Sequence, residues 1–212
     1  MRIYCDMDGV LVDWVSGMLK LANNILQKPA EEVRSKKLRK YAQRIKEGLG
    51  RDYIKADEFK VKQPPVKPFT YASIMRDPFF WIELNELDGN IAKLWNPLRE
   101  MAAEHDIEVE ILSSPIESDP KCVPQKVEWC KIHLGIGPEK VKVVSNKSVY
   151  AKDADGSKNM LIDDTEKKLN EWSEGGGIPI RFKDNPGEVL ERVKELLEER
   201  TLVGRMKDLS DV

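Results

Sequence analysis

Five short stretches of the chain are dense in apolar and branched residues: 2–6, 107–113, 141–145, 160–163 and 178–182. Most are rich in Val, Ile and Leu, the pattern of strands buried on both faces of a parallel sheet. Between them the apolar spacing becomes helical. Ile91, Leu94, Trp95, Leu98, Met101 and Ala102 follow i, i+3, i+4, i+7. Val123, Val127, Cys130 and Leu134 do the same ahead of Gly135, a helix stop. Val189, Leu190, Val193, Leu196 and Leu197 mark a last helix, entered through Asn185, Pro186 and Gly187. Strands alternating with helices predict an α/β fold built on a doubly wound, five-stranded parallel sheet.

The interval between the first and second strands is too long for one crossover helix. Residues 15–83 are therefore expected to form a mainly helical cap inserted after the first strand. Residues 1–14 and 84–200 then make the core, and 201–212 a C-terminal tail with little pattern. Val15, Met18, Leu19, Ala22, Ile25 and Leu26 predict a first cap helix, and 30–50 a second, highly charged one. The run from Gln63 through Pro64, Pro65, Val66 and Lys67 to Pro68 predicts an extended linker.

Composition narrows the function classes. Of 212 residues, 41% are hydrophobic and 34% charged, which suits a soluble globular protein with a substantial core. Lys and Arg number 35 against 37 Asp and Glu, a net charge of −2. Such a balance argues against a nucleic-acid coat or a membrane-surface protein. No apolar run reaches the roughly 18 residues a membrane helix needs, and no leader pattern precedes Asp6. Cys5, Cys122 and Cys130 are odd in number and form no CxxC pair, so neither a disulfide framework nor a zinc site is expected, and a reducing cytoplasm fits. The charge is uneven, however. Residues 28–62 hold 12 Lys/Arg against 6 Asp/Glu, a local excess of +6. That is the composition of a solvated helix face, or of a basic lid that draws in an anionic substrate.

In an open parallel sheet, ligands bind beyond the carboxyl ends of the strands. The first stretch runs into Asp6 and Asp8, whose i, i+2 spacing predicts a common side, and Gly9 lets the backbone turn beside them. Two carboxylates so close repel unless a cation or a shared proton lies between them. The pair points to Mg²⁺ chemistry or general acid–base work. The second stretch ends in Ser113-Ser114-Pro115, the third in Ser145-Asn146-Lys147 and the fourth in Asp163-Asp164.

This set resembles the haloacid dehalogenase-like phosphohydrolases. Asp6-Met7-Asp8-Gly9-Val10-Leu11 is similar to that family's first motif, in which the first Asp is the nucleophile. Ile111-Leu112-Ser113-Ser114-Pro115 matches the second motif, Lys147 is the best match to the third, and Leu161-Ile162-Asp163-Asp164 matches the fourth. Lys152 and Lys142 stay open as third-motif lysines, because Asp153-Ala154-Asp155-Gly156-Ser157 lengthens the loop before the fourth strand. The resemblance covers the core and implies that the insertion is a cap. A narrower resemblance, to the 5′(3′)-deoxyribonucleotidase branch, rests on Phe79-Phe80-Trp81, Lys147 to Ala151, Asn170, Trp172 and Gly175-Gly176-Gly177.

The resemblance implies a Mg²⁺-dependent phosphatase that hydrolyses nucleoside monophosphates, deoxyribonucleotides above all, through an aspartyl-phosphate. Asp6 attacks phosphorus, and Asp8 protonates the leaving oxygen and then activates water. Ser113 and Ser114 bind phosphoryl oxygens, with Lys147 neutralising charge. Asp6, Asp8 through its backbone carbonyl, Asp163 and Asp164 supply hard oxygen ligands to the metal. Which of the last two touches it directly is left open. Phe80 and Trp81 read either as core aromatics or as a wall against the base. Asp13 reads as a helix cap. Three alternatives remain: a phosphatase for another small phosphoester, one for a nucleic-acid terminal phosphate held by the basic cap, and a non-catalytic nucleotide-binding protein. A nucleotide is the expected partner, with no membrane. The oligomeric state is open, a homodimer included.

Overall fold

The computed structural model describes residues 1–60 and 64–210. The chain divides into two compact units. The first comprises Met1–Val12, Glu86–Pro115 and the chain from Val127 onward; the second comprises Asp13–Asn85 and Ile116–Lys126.

The first unit holds a five-stranded sheet in the order β3-β2-β1-β4-β5. The strands are β1 (Ile3–Cys5), β2 (Val109–Ser113), β3 (Val141–Val143), β4 (Met160–Asp163) and β5 (Ile178–Arg181). All pairings are parallel, with Cys5 opposite Ile111 on one side and Ile162 on the other. Every residue of β1, β2 and β4 is buried, Glu110 of β2 included, as expected of inner strands covered on both faces. The chain builds outward from β1 through β2 to β3, then crosses to β4 on the other side. The reversal falls between β1 and β4, which makes the carboxyl end of that pair the ligand-binding position of a doubly wound sheet. The expected α/β architecture is therefore present.

Helices complete this unit. The 91–102 stripe forms α4, which opens with a π-turn at Ile91–Trp95 and continues as Asn96–Ala103. Pro97 has no amide to donate to Lys93, and the Asn96 amide reaches back five residues to the Ile91 carbonyl, which widens the turn. Helix α6 (Glu166–Glu174) lays Leu169 and Trp172 against Tyr4, Leu112 and Leu161. Helix α7 (Pro186–Ser210) continues through most of the residues set apart as a tail. No Gly-Pro break interrupts it, and the Thr201 hydroxyl bonds back to the Leu197 carbonyl at 3.0 Å. Residues 211–212 lie outside the described residues. Helix α5 (Cys122–Leu134) follows the second expected stripe.

The second unit is helical. Asp13 caps α1 (Trp14–Gln27), its side chain accepting from the Ser16 amide at 3.0 Å. Ser35 caps α2 (Lys36–Leu49), which stops at Gly50 in the left-handed region, φ 66°. Leu38, Ala42 and Ile45 of α2 pack on Ala22 and Leu26 of α1 and on Val66, Phe69 and Ala72 of α3 (Val66–Ile74). Part of the expected linker is thus helix. Pro65 sits at the start of α3 and Pro68 in its first turn, where a missing amide costs nothing. Gln63 lies outside the described residues. Residues 116–126 join this unit by side-chain bonds that include Trp81 Nε1 to Asp119 at 2.9 Å, Lys121 to the Met75 carbonyl at 2.8 Å and Gln125 to the Pro78 carbonyl at 2.5 Å. Among the described residues no helix is long and apolar enough to cross a membrane.

Candidate active site

The site grows from the end of β1. The strand stops at Cys5, so Asp8 belongs to the turn that follows rather than to an extended run. In that turn the Leu11 and Val12 amides both bond to the Met7 carbonyl at 2.9 Å, and the Gly9 amide to the Val12 carbonyl at 2.9 Å. Gly9 has φ 76°, and a β-carbon there would stand 2.5 Å from Asp164 Oδ2. Two constraints therefore select glycine: the backbone angle and the close passage of a carboxylate.

Asp6 is buried, and its Oδ1 accepts from the Met7 amide at 2.7 Å and from Lys147 Nζ at 2.9 Å. The same Nζ lies 2.7 Å from Asp163 Oδ2. Lys147 is 1% exposed. Burial opposes its charge, but Asp6 and Asp163 outweigh burial and hold its pKa above the ordinary lysine value. Asp163 is fully buried, and its other oxygen accepts from the Thr165 amide at 2.8 Å. Burial and the charge of Asp6 together exceed the pull of Lys147 and push Asp163 up to about 6. Asp164 stands on the open side; desolvation by the adjoining protein and then the Asp6 charge raise it too.

Asp6, Asp163 and Asp164 each present an oxygen within 4.8 Å of the others, a donor set able to hold a cation. Hard carboxylate oxygens suit Mg²⁺ and its neighbours rather than thiophilic metals. Among the described residues Asp8 contributes no side-chain oxygen to this group. Ser113 is buried at the end of β2, beside β1, with its carbonyl accepting from the Val144 amide at 2.9 Å, and Ser114 is half-buried next to it. Lys142 pairs with Glu110, the Lys152 side chain runs beside Gly176, and Lys147 is the candidate lysine that meets Asp6 and Asp163.

Phe80 and Trp81 lie in the second unit. Trp81 is 1% exposed, with Phe80 edge-on at 5.0 Å and Lys126 4.7 Å over its ring. Phe80 also lines a cavity of about 170 Å³ with Gly17, Leu21 and Leu84.

Two supporting residues escaped the sequence reading. Thr165 donates its amide to Asp163 and its hydroxyl to Asp164 at 3.1 Å, fixing both carboxylates. Asn90 is buried and donates to the Val10 carbonyl at 2.6 Å, bracing the Asp8 turn. The Asp-Asp-Thr run offered a faint signal as a helix start; Asn90 offered only its Asp88-Gly89 turn.

No family model matches the chain. It is 25% identical over 167 residues to the human cytosolic-type 5′(3′)-deoxyribonucleotidase, covering 78% of this chain and 71% of that one. The chain resembles a haloacid dehalogenase-like phosphohydrolase of the deoxyribonucleotidase branch. Solved structures of similar fold include a haloacid dehalogenase-like hydrolase of Streptococcus pneumoniae, at 12% identity, TM-score 0.47 and coverage of 88% and 86%. Another is a family hydrolase of Deinococcus radiodurans with bound phosphate and sodium, at 14% identity, TM-score 0.45 and coverage of 90% and 86%. At such scores these likenesses add nothing to the strand order. In the phosphohydrolase-like core, the lysine and the three carboxylates all stand at or just beyond the ends of β1, β3 and β4.

Proposed function

We propose that the protein is a Mg²⁺-dependent phosphatase that hydrolyses nucleoside monophosphates, deoxyribonucleotides above all. The observation that carries this reading is the ammonium of Lys147 held between Asp6 and Asp163, with Asp164 beside them. A buried cation fixed among carboxylates is suited to receive a dianionic phosphate that those carboxylates alone would repel.

Mg²⁺ would be held by Asp6, Asp163 and Asp164 with the Asp8 carbonyl, and when bound it supplies neutralisation of phosphate charge. Oδ1 of Asp6 already takes two N–H donors, so we assign attack to Oδ2. Its lone pair forms a bond to phosphorus as the bond from phosphorus to the ester oxygen breaks. Asp8 gives its proton to the departing nucleoside oxygen. Asp8 then takes a proton from water, whose oxygen attacks the aspartyl-phosphate. Phosphate leaves and the Asp6 carboxylate is restored. Ser113 and Ser114 would bond the phosphoryl oxygens. The second unit would act as the cap, with Phe80 against the base.

The test is phosphate release from a panel of ribo- and deoxyribonucleoside 5′- and 3′-monophosphates, sugar phosphates and other phosphoesters, with Mg²⁺ and with EDTA. The reading expects turnover of nucleotides that EDTA abolishes. Asp6→Asn should lower the rate by on the order of 10³-fold or more with the melting curve intact. Good turnover of sugar phosphates and none of any nucleotide would sink the substrate assignment.

A further inference from the structure

Helix α2 has two faces. Leu38, Ala42 and Ile45 are buried in the core of the second unit. Lys36, Arg39, Lys40 and Lys46 fall at i, i+3, i+4 and i+10 on another stripe, and with Lys28 from the end of α1 they edge a groove of about 650 Å³. The floor is aliphatic, from Ile25, Val33 and Ala42. Five cations thus face one carboxylate, Glu47, which is already bonded by Gln43 at 2.9 Å.

Among the described residues Lys28, Lys36, Lys40 and Lys46 make no ion pair, although the chain as a whole carries more acidic than basic residues. Arg39 is spent in part on its own backbone, donating to the Val33 carbonyl at 3.1 Å. From Lys36 to Lys46 the charges extend over ~15 Å of helix. They are strung along the groove and do not converge on one point, so a linear polyanion meets more of them than a single phosphate would.

We infer that this groove binds a strand of nucleic acid by its phosphates, with the sugar edges over the aliphatic floor. Lysine ammoniums are point-charge binders of phosphate on flexible stems. Among the described residues no aromatic ring lines the groove, so binding is indifferent to base sequence: phosphate contacts position a strand without reading it. The inference goes beyond the phosphatase reading and does not require it, since binding is measured without turnover.

The experiment is fluorescence anisotropy of the full chain with a labelled single-stranded DNA oligonucleotide lacking terminal phosphates, in EDTA, across a salt series. Binding should weaken steeply with salt. Lys36→Gln/Lys40→Gln/Lys46→Gln should weaken it at least tenfold and make the log–log salt slope shallower by about 2, from a slope of roughly 0.7 per lost contact. Lys158→Gln/Lys183→Gln/Lys194→Gln makes the same charge change on the first unit and should leave both quantities near wild type. The wild-type salt series needs no variant, and no salt-dependent binding at low salt overturns the inference. So does equal weakening by the two triple variants. Displacement by polyglutamate as effective as by DNA of equal charge also overturns it, in favour of an acidic protein partner.

Discussion

Lys147 and Lys40 carry the same ammonium group under opposite conditions. Lys147 is sealed at the end of the sheet, within 3 Å of two carboxylates. Lys40 stands in solvent on α2 with no ion-pair partner among the described residues. Burial makes one charge costly and therefore fixed in place: it persists because two named carboxylates offset its desolvation. Exposure makes the other cheap, screened and mobile, so it counts only in number. One lysine can thus define a phosphate position, whereas a row of them can define a polyanion track.

The comparison is broken most severely by Lys147→Met. Asp6 and Asp163 would then face each other without their cation, and breaking a buried pair in this way costs about 3–5 kcal/mol. Urea unfolding should read that loss in the metal-free protein, together with loss of phosphate release. A change as small as that of a surface substitution would show that the ammonium is not what holds the carboxylates together.

A smaller effect separates the partners of Lys147 by pH. Asp163 titrates near 6, above the usual carboxylate range, because burial and Asp6 favour its neutral form. Its contribution to metal-free stability is therefore present at low pH and fades as pH rises through about 6. Asp163→Asn should remove that dependence, so the difference in melting temperature between variant and wild type should change across this window. A cation needs the ionised carboxylate, so Mg²⁺ affinity by calorimetry should fall about tenfold per pH unit below that point, for one proton released. A flat profile from pH 8 to 5 would remove Asp163 from the ligand set.

The smallest effect belongs to the other side of the comparison. Lys40→Gln should move unfolding free energy by no more than about 0.5 kcal/mol, as surface changes do. A larger loss would mean that the α2 lysines hold the second unit together and are not spare charge.

The parallel sheet was legible because its strands are rich in Ile, Val and Leu, and the rule that ligands gather at carboxyl ends led directly from Asp6 to Asp163-Asp164. Lys147 was legible as a strand-end residue and the best match among three lysines, but its contacts with Asp6 and Asp163 were not. The sequence does not show that Lys142 is engaged by Glu110 across the sheet, because that pairing depends on strand order. For the same reason Asn90 was invisible: its partner is a backbone carbonyl 80 positions away. The Pro-rich run around 64–68 misled because proline marks the first turn of a helix as readily as an extended linker. The grouping of 116–126 with the helical unit rests on Trp81–Asp119 and its neighbours, contacts that leave no periodic trace.

Beside the proposed nucleophile sits a second candidate of a different kind. Cys5 immediately precedes Asp6, and its thiol points a hydrogen at the Asp6 carbonyl, 3.4 Å away. Burial, with the nearby Asp6 charge, keeps that thiol protonated far beyond neutral pH. A sulfur held as thiol is a poor competitor for phosphorus, a poor target for oxidants and a poor anchor for zinc or copper. The strand therefore offers a phosphate or a metal only oxygen, and the choice of hard chemistry over soft is made by which of two adjacent side chains is allowed to lose its proton.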